Sequence, residues 1–377
     1  ASIAEAMLAA HQAFVGVEPE VIARHCSIGG MPDPAARHWL AAGAFAMDRA
    51  ANLAAVTYLR SALEQIEKLP TGPERNGLEL QAQMALGPAC MAIHGWASPT
   101  VETACRRARD LAAAAGDDEK VFGATWGLWS NFFLRGEMDA TLATAEEVAN
   151  MAAQSSTPLL TTIADHALGY TRFFRGELDD ALAHASSGKA RFDMETERTI
   201  VRLFQLSSNV SFAAIEAGCL ALREDRAGCL AAQRRSVELA EALAHAPTLA
   251  LALGTLQHTL VMVRDWSALK AVAARLLPLG EEEGFALWIA LANLCGLLSK
   301  AYTAPTASIT AKVIEAFDAF RATGTTLAGG LHEPAIAELM IADGAAADAL
   351  DQLDTAIANA ERRSERLYLP ELHRMRG

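Results

Sequence analysis

The sequence predicts an all-α fold, a right-handed α-solenoid of about eight tetratricopeptide-like helical hairpins. First, the phrase Leu-Arg-Gly-Glu-Met-Asp at 134–139 returns forty residues later as Phe-Arg-Gly-Glu-Leu-Asp at 174–179. Second, alanine and leucine dominate the composition and β-branched residues are sparse, which favours helix throughout. Third, glycine and proline fall mostly between apolar periodic runs, where helices end. A helix, a glycine turn and a second helix at a fixed period are typical of α-solenoids.

The apolar periodicity places the hairpins in order along the chain. We expect a preceding module's tail or linker helices at 1–30 and the repeat array at 31–377. We also expect an irregular break near 195–209 and a flexible turn near 324–330. The predicted helix pairs span 34–47 and 52–69, 74–93 and 99–115, 120–134 and 138–154, 158–174 and 178–194, 210–222 and 226–244, 248–263 and 266–283, 285–301 and 307–323, and 332–341 and 346–363.

Several residues have types that suit particular helix positions. Ser98 is a good N-cap, and Pro99 after it suits the first helical position. In the fourth hairpin, Gly169 and Ala181 are small residues where the paired helices are expected to cross. Gly176 is expected to end its helix in a left-handed conformation, which costs glycine little.

Charge and cysteine content exclude some classes of function. The net charge of −13 disfavours nucleic-acid binding unless a local basic patch exists. The candidate patch is Arg223, Arg226, Arg234 and Arg235, and the alternative is a solvated helix face paired with nearby acidic residues. The six cysteines show no C-x-x-C spacing, which indicates single small apolar residues in a reducing cytoplasm.

Two apolar stretches, 249–263 and 285–298, are each shorter than a membrane-spanning helix requires. We interpret them as inner helices of repeats, and we expect no membrane association.

The motifs of common catalytic sites are missing from the sequence. There is no phosphate-binding G-x-x-x-x-G-K-[ST] loop, no H-E-x-x-H pair and no G-x-S-x-G elbow. We therefore predict no catalytic residue, no cofactor and no metal in this segment. His166 and His184 lie on the two helices of one repeat and could approach each other, but ordinary polar packing is favoured over a metal site.

An aromatic set marks the candidate binding residues. The first helices of solenoid hairpins line a concave surface, and these side chains recur at helical spacing on two such helices. One interpretation is a groove that docks a peptide or partner helix on aromatic anchors. The alternative is that the rings pack between adjacent repeats, because a solenoid must fill its seams. The candidates are Trp126, Trp129, Phe133, His166, Tyr170 and Phe173.

Three stretches carry a resemblance to a known family. They are Gly-Trp-Ala-Ser-Pro-Thr-Val-Glu at 95–102, Trp-Gly-Leu-Trp at 126–129 running into 132–137, and His-Ala-Leu-Gly at 166–169 running into 173–178. Together they resemble the C-terminal tetratricopeptide region of large bacterial predicted-ATPase signalling proteins, many of which begin with an adenylate/guanylate cyclase domain. The sequence departs from that family at 204–209, where the usual Gly-Asp-Pro-Gly-like loop reads Phe-Gln-Leu-Ser-Ser-Asn.

The resemblance implies a non-catalytic interaction or regulatory module of a larger signalling ATPase or cyclase. Its partner would be a protein, a peptide or the parent's own ATPase module, and we expect no nucleic-acid binding by this segment. The alternatives are the sensor arm of an ATPase-type transcription regulator and a segment of an adenylate/guanylate cyclase enzyme. The chain begins with Ala1, so we expect an excised piece of a larger cytoplasmic protein, able to form a homodimer.

Overall fold

The structure, a computed structural model, describes residues 18–377 except residues 50, 96, 156 and 307. Within that part of the chain there are nineteen α-helices and no strands, which confirms the all-α prediction. Most of the tail or linker helices expected at 1–30 lies outside the described residues. The chain divides into two compact units, with the boundary after Asn131.

From residue 18 onward, the described part of the first unit contains five helices and most of a sixth. Helix α1 packs on α2 through Ile22, Cys26 and Ala35, and a Cβ on Gly43 would lie 2.7 Å from the Leu59 side chain. The predicted Ser98 cap is confirmed, because its hydroxyl accepts the Thr100 amide at 3.3 Å. The helices are α1 (Pro19–Ile28), α2 (Pro32–Asp48), α3 (Asn52–Ile66), α4 (Pro73–His94), α5 (Pro99–Ala115) and α6 (Asp118–Leu134), whose last turn enters the second unit.

The second unit continues the hairpins, and the helices of the predicted pairs begin and end near the predicted positions, whereas α10 was not predicted. The helices are α7 (Met138–Ser155), α8 (Pro158–Phe174), α9 (Leu178–Ala190), α10 (Met194–Phe204), α11 (Ser208–Leu222), α12 (Arg226–Leu243), α13 (Ala246–Met262), α14 (Trp266–Glu283), α15 (Ala286–Thr303), α16 (Ile309–Ala322), α17 (Gly329–Ala342), α18 (Ala346–Arg362) and α19 (Leu369–Arg376).

Small residues set the close approach of helices α8, α9 and α11. A Cβ on Gly169 would lie 3.1 Å from Ile215 and 3.8 Å from the Ala181 carbonyl, which confirms the predicted crossing. A Cβ on Gly188 would lie only 2.1 Å from the Phe212 ring. These glycines therefore let neighbouring helices pack at distances that any larger side chain would prevent.

Helix α10 occupies most of the interval where we expected an irregular break. Its N-cap Asp193 accepts the Thr196 amide at 2.8 Å, and its apolar face buries Ile200 and Val201. The repeat period is thus interrupted by an extra helix between two hairpins.

Helix α15 is the one described helix that is long and apolar enough to cross a membrane. Four of its larger apolar side chains, Leu291, Leu294, Cys295 and Leu298, are fully buried in the protein. This packing fits an inner helix of the array, as the sequence suggested.

Candidate partner-binding site

All six predicted binding residues are buried, each at most 9% exposed. In the first unit, Trp126 and Trp129 stack on each other with ring centroids 4.7 Å apart. Rings at these positions therefore fill a seam in this conformation, as the packing alternative describes. Their use by a partner stays a prediction, and it would require the surrounding helices to separate.

In the second unit, the predicted residues belong to one aromatic cluster. Phe133 lies 5.4 Å from both Tyr170 and Phe174, and His166 lies 5.2 Å from Tyr170, measured between ring centroids. Phe173 points at α11, where a Cβ on Gly218 would lie 2.3 Å from its ring.

Burial keeps the polar members of this cluster neutral. It lowers the pKa of His166 to about 3 and raises the pKa of Tyr170 to about 12. His184 contacts Asp165, with its Nδ1 2.7 Å from the carboxylate. Among the described residues, no group of three or more potential metal ligands comes together.

The duplicated turns, residues 134–139 and 174–179, are the glycine turns of the second unit. Two later segments, residues 325–328 and 364–368, dock on them and are the C-terminal turns. The Leu134 carbonyl accepts the amides of Thr326 at 3.1 Å and Leu327 at 3.4 Å. The Phe174 carbonyl accepts the amides of residues 366 and 367 at 3.0 and 3.2 Å. Each of these three positions lies forty residues after its counterpart in the first contact. The same pair of hydrogen bonds is thus made twice.

Both glycines of these turns are favoured by their backbone conformation, and Gly136 is also closely approached by a neighbouring side chain. Gly136 has φ +67° and Gly176 has φ +78°, in the left-handed region that disfavours side chains. A Cβ on Gly136 would lie 3.2 Å from the Thr326 hydroxyl, and one on Gly176 would lie 3.6 Å from Arg366. The left-handed Gly176 was predicted, whereas the docked segments were not.

The segment at 324–330, expected to be a flexible turn, has specific contacts. The Thr326 hydroxyl donates to the Arg135 carbonyl at 2.6 Å, and Leu327 and Ala328 are buried. The second C-terminal turn adds Tyr368, whose ring lies 6.4 Å from Phe174. The C-terminal turns therefore cover the aromatic cluster at the ends of α6 and α8.

A small cavity lies beside the docked turns. Its volume is about 30 Å³, and its lining includes Glu333, Glu365, Arg321, Arg363 and Tyr368. Burial raises the pKa of both carboxyl groups to about 7, against the opposing effect of nearby arginines.

Further buried polar groups lie on the inner helices α11, α13 and α17. His258 and His332 make a ring contact at 5.6 Å, and burial lowers their pKa values to about 4 and about 3. The Gln257 amide, the Ser208 hydroxyl and Nε2 of His258 have no hydrogen-bond partner within the described chain. Such groups are rare in native interiors, so each calls for an explanation. Sequence reasoning missed them, because glutamine and histidine in an apolar run carry no periodic signal.

The candidate basic patch is tied into ion pairs between repeats. Arg223 pairs with Asp179 at 2.6 Å and Arg226 with Asp265 at 2.6 Å. Arg235 lies 3.2 Å from Glu216. This arrangement agrees better with the alternative, in which the arginines form ion pairs on a solvated face, than with a free basic patch. The acidic partners, however, lie on neighbouring helices or turns and not on the same helix.

Comparison with known proteins supports the fold alone. No family profile matches the chain, and no curated protein matches it. A solved structure of similar fold is that of a Rap protein complexed with Competence and Sporulation Factor. The two chains are 11% identical with a TM-score of 0.51, and the match covers 90% of this chain and 96% of the Rap chain. The likeness spans nearly the whole chain and confirms a tetratricopeptide-like α-solenoid.

Proposed function

We propose that this chain is a non-catalytic interaction module that binds a protein or peptide partner inside its helical array. The observation that carries the proposal is the set of buried polar groups without partners on the inner helices, above all the Gln257 amide. A partner backbone entering between these helices would supply the missing hydrogen bonds. Without a partner the buried polar groups stay unpaired, which lowers the stability of the protein. The Rap structure, solved with a bound factor, supports the same use of a similar fold.

The test uses a random-sequence peptide display library selected on the full chain, followed by fluorescence polarisation of the enriched peptides. We expect Gln257→Met to weaken peptide binding by about fivefold or more, because the side-chain size is kept while the amide is lost. Tyr170→Phe tests the aromatic cluster in the same way, because it removes the hydroxyl group and keeps the ring that fills the space. Gln352→Met, on the outer helix α18, is the matched control. Equal affinities for the wild type and both inner variants would contradict the proposal.

The resemblance to signalling ATPases suggests a place for this module. We propose that it regulates the ATPase or cyclase activity of a larger cytoplasmic protein, with the sensor arm of a transcription regulator as the second candidate. Nucleotide hydrolysis is expected only from the ATPase module. ATP or GTP turnover by the purified segment above a heat-treated control would contradict the non-catalytic assignment. Homodimer formation stays a prediction for sedimentation measurements.

A further inference from the structure

The contact between the glycine turns and the C-terminal turns closes the second unit over a long sequence distance. It consists of five main-chain hydrogen bonds, one of them from the Met138 amide to the Arg363 carbonyl, together with the Thr326 side chain and a few buried apolar groups. Ser364 adds a hydrogen bond to Asp139 at 3.1 Å. The hydrogen bonds of the contact join turns that lie at the ends of helices, so the contact can open without breaking any helix.

Glu365 lies at the joint of this contact. Its Oε1 accepts the Ala328 amide at 3.0 Å, and its Oε2 lies 3.4 Å from the position of a Cβ on Gly136. The residue is 5% exposed. Docking of the turns therefore removes most of the water from around this carboxyl group.

Glu333 on α17 shares the cavity with Glu365. It is 9% exposed, and its carboxyl group has no hydrogen bond or ion pair to any described residue. Two carboxyl groups in one cavity cannot both ionise without loss of hydration and mutual repulsion.

The charged neighbours do not remove this cost. Arg321 from α16 and Arg363 after α18 line the cavity and favour the ionised carboxylates, but neither forms an ion pair with Glu333 or Glu365. Tyr368 faces the cavity from the start of α19, and burial raises its pKa well above the ordinary range.

The glycine turn packed against Glu365 has its own charges already paired. There, Arg135 pairs with Glu137, and Asp139 pairs with Arg175.

We infer that the C-terminal turns are a releasable closure over the aromatic cluster, and that Glu333 and Glu365 couple its release to the loss of protons. In the open state both carboxyl groups would be fully hydrated and would titrate near their ordinary pKa of 4.5. In the closed state burial raises the pKa of each to about 7. Closure is therefore strongest below about pH 4.5 and weakens as the pH rises through 7. Its role in admitting a partner to the aromatic cluster rests on the proposed function.

Hydrogen exchange of the full chain tests this inference without any partner. We compare amide protection at 326–327 and 366–367 at pH 6.0 and 8.5, corrected for the intrinsic pH dependence of exchange. From pH 6.0 to pH 8.5, one such carboxyl group lowers the equilibrium constant for closure about tenfold, and two lower it about a hundredfold. Amides of the outer helix α12 serve as the internal reference. Equal protection at the two pH values would overturn the inference.

Variants separate the carboxyl groups from general instability. We expect Glu333→Gln with Glu365→Gln to abolish the pH dependence, and Glu371→Gln, on a partly exposed residue of α19, to keep it. If the double variant does not fold, Glu333→Gln alone is expected to reduce the dependence to about tenfold. Persistence of the full pH dependence in the double variant, or in Glu333→Gln alone, would count against the inference.

A steric variant tests the docking itself. Asparagine tolerates the left-handed conformation, so Gly136→Asn adds mainly a clash with the docked turn and is expected to lower protection at 326–327. Gly116→Asn is the matched control, since Gly116 has φ +68° and an added Cβ there meets nothing within 4 Å. The same loss of protection in both variants would refute a specific closure. Peptide affinity is measured separately, so either proposal can fail alone.

Discussion

The carboxylate of Glu197 binds both amide groups of Asn209, the backbone N–H at 3.2 Å and the side-chain N–H at 2.6 Å. Glu197 is 1% exposed on helix α10, and Asn209 lies in the first turn of α11. The hydroxyl of Ser207 also donates to this carboxylate. One buried acceptor therefore ties the inserted helix to the next hairpin through charge-assisted hydrogen bonds.

Replacement of this acceptor is expected to destabilise the protein strongly. Glu197→Ala leaves buried donors of Ser207 and Asn209 without an acceptor, which should lower the free energy of unfolding by about 3 kcal/mol. Urea denaturation followed by circular dichroism measures the change. Glu195→Ala, at an exposed position of the same helix, is the control and should cost little. Equal losses in the two variants would show that the network contributes nothing specific.

Replacement of glycine by alanine is expected to lower the stability of the protein at one helical position and to raise it at another. Gly188→Ala places a Cβ 2.1 Å from the Phe212 ring and is expected to cost roughly 1–3 kcal/mol or more through overpacking. Gly77→Ala meets nothing within 4 Å and should stabilise the protein by up to about 1 kcal/mol, because alanine favours helix. Thermal and urea unfolding of both variants measure the difference. A neutral Gly188→Ala would mean that α9 and α11 are less tightly packed than described.

The buried histidine pair predicts a loss of stability in acid. Burial lowers the folded-state pKa of His258 to about 4 and that of His332 to about 3, against an ordinary value of 6.5. For His332 the neighbouring His258 adds a smaller effect in the same direction. Because the unfolded chain binds more protons, the stability from these neutral rings is complete above pH 6.5 and is lost progressively as the pH falls below it. The carboxyl groups of Glu333 and Glu365 act in the opposite direction between pH 4.5 and 7.

Comparison with a variant isolates the contribution of the histidines. In His258→Phe with His332→Phe the rings no longer titrate, so the difference in unfolding free energy between wild type and variant should shrink or reverse from pH 7 to pH 5. Urea titrations at both pH values measure it. A difference that does not change with pH would show that these rings reach water in the folded state.

The six cysteines are expected to be unreactive in the folded protein. All six are buried and free, and burial raises the pKa of Cys105 and Cys219 to about 12. Since the thiolate is the nucleophile, a thiol reagent such as DTNB at pH 8 should label fewer than one cysteine per chain. After denaturation in urea all six should react. Rapid labelling of the native protein would reveal local opening of the inner helices.

Much of the local structure could be predicted from the sequence. Helix ends agree because caps and turns depend on nearby residues, as with Ser98 and the left-handed Gly176. Helix α10 was missed although its residues form an amphipathic pattern, and its main polar partners lie beyond its own end. The candidate site was only partly accessible to such reasoning. Spacing placed Tyr170 and Phe173 on one helix, but burial between repeats depends on helices that spacing does not describe.

The sequence by itself determined the helical hairpins, their order and the conformation of the glycine turns, because each depends on interactions within a few residues. Only the tertiary structure decided what those turns meet. Leu134 and Thr326 are far apart along the chain, and no local pattern specifies the hydrogen bond between them. The buried position of Glu365 beside a small cavity follows from the same contact, since burial is a property of the packed array and not of a residue or its neighbours in sequence.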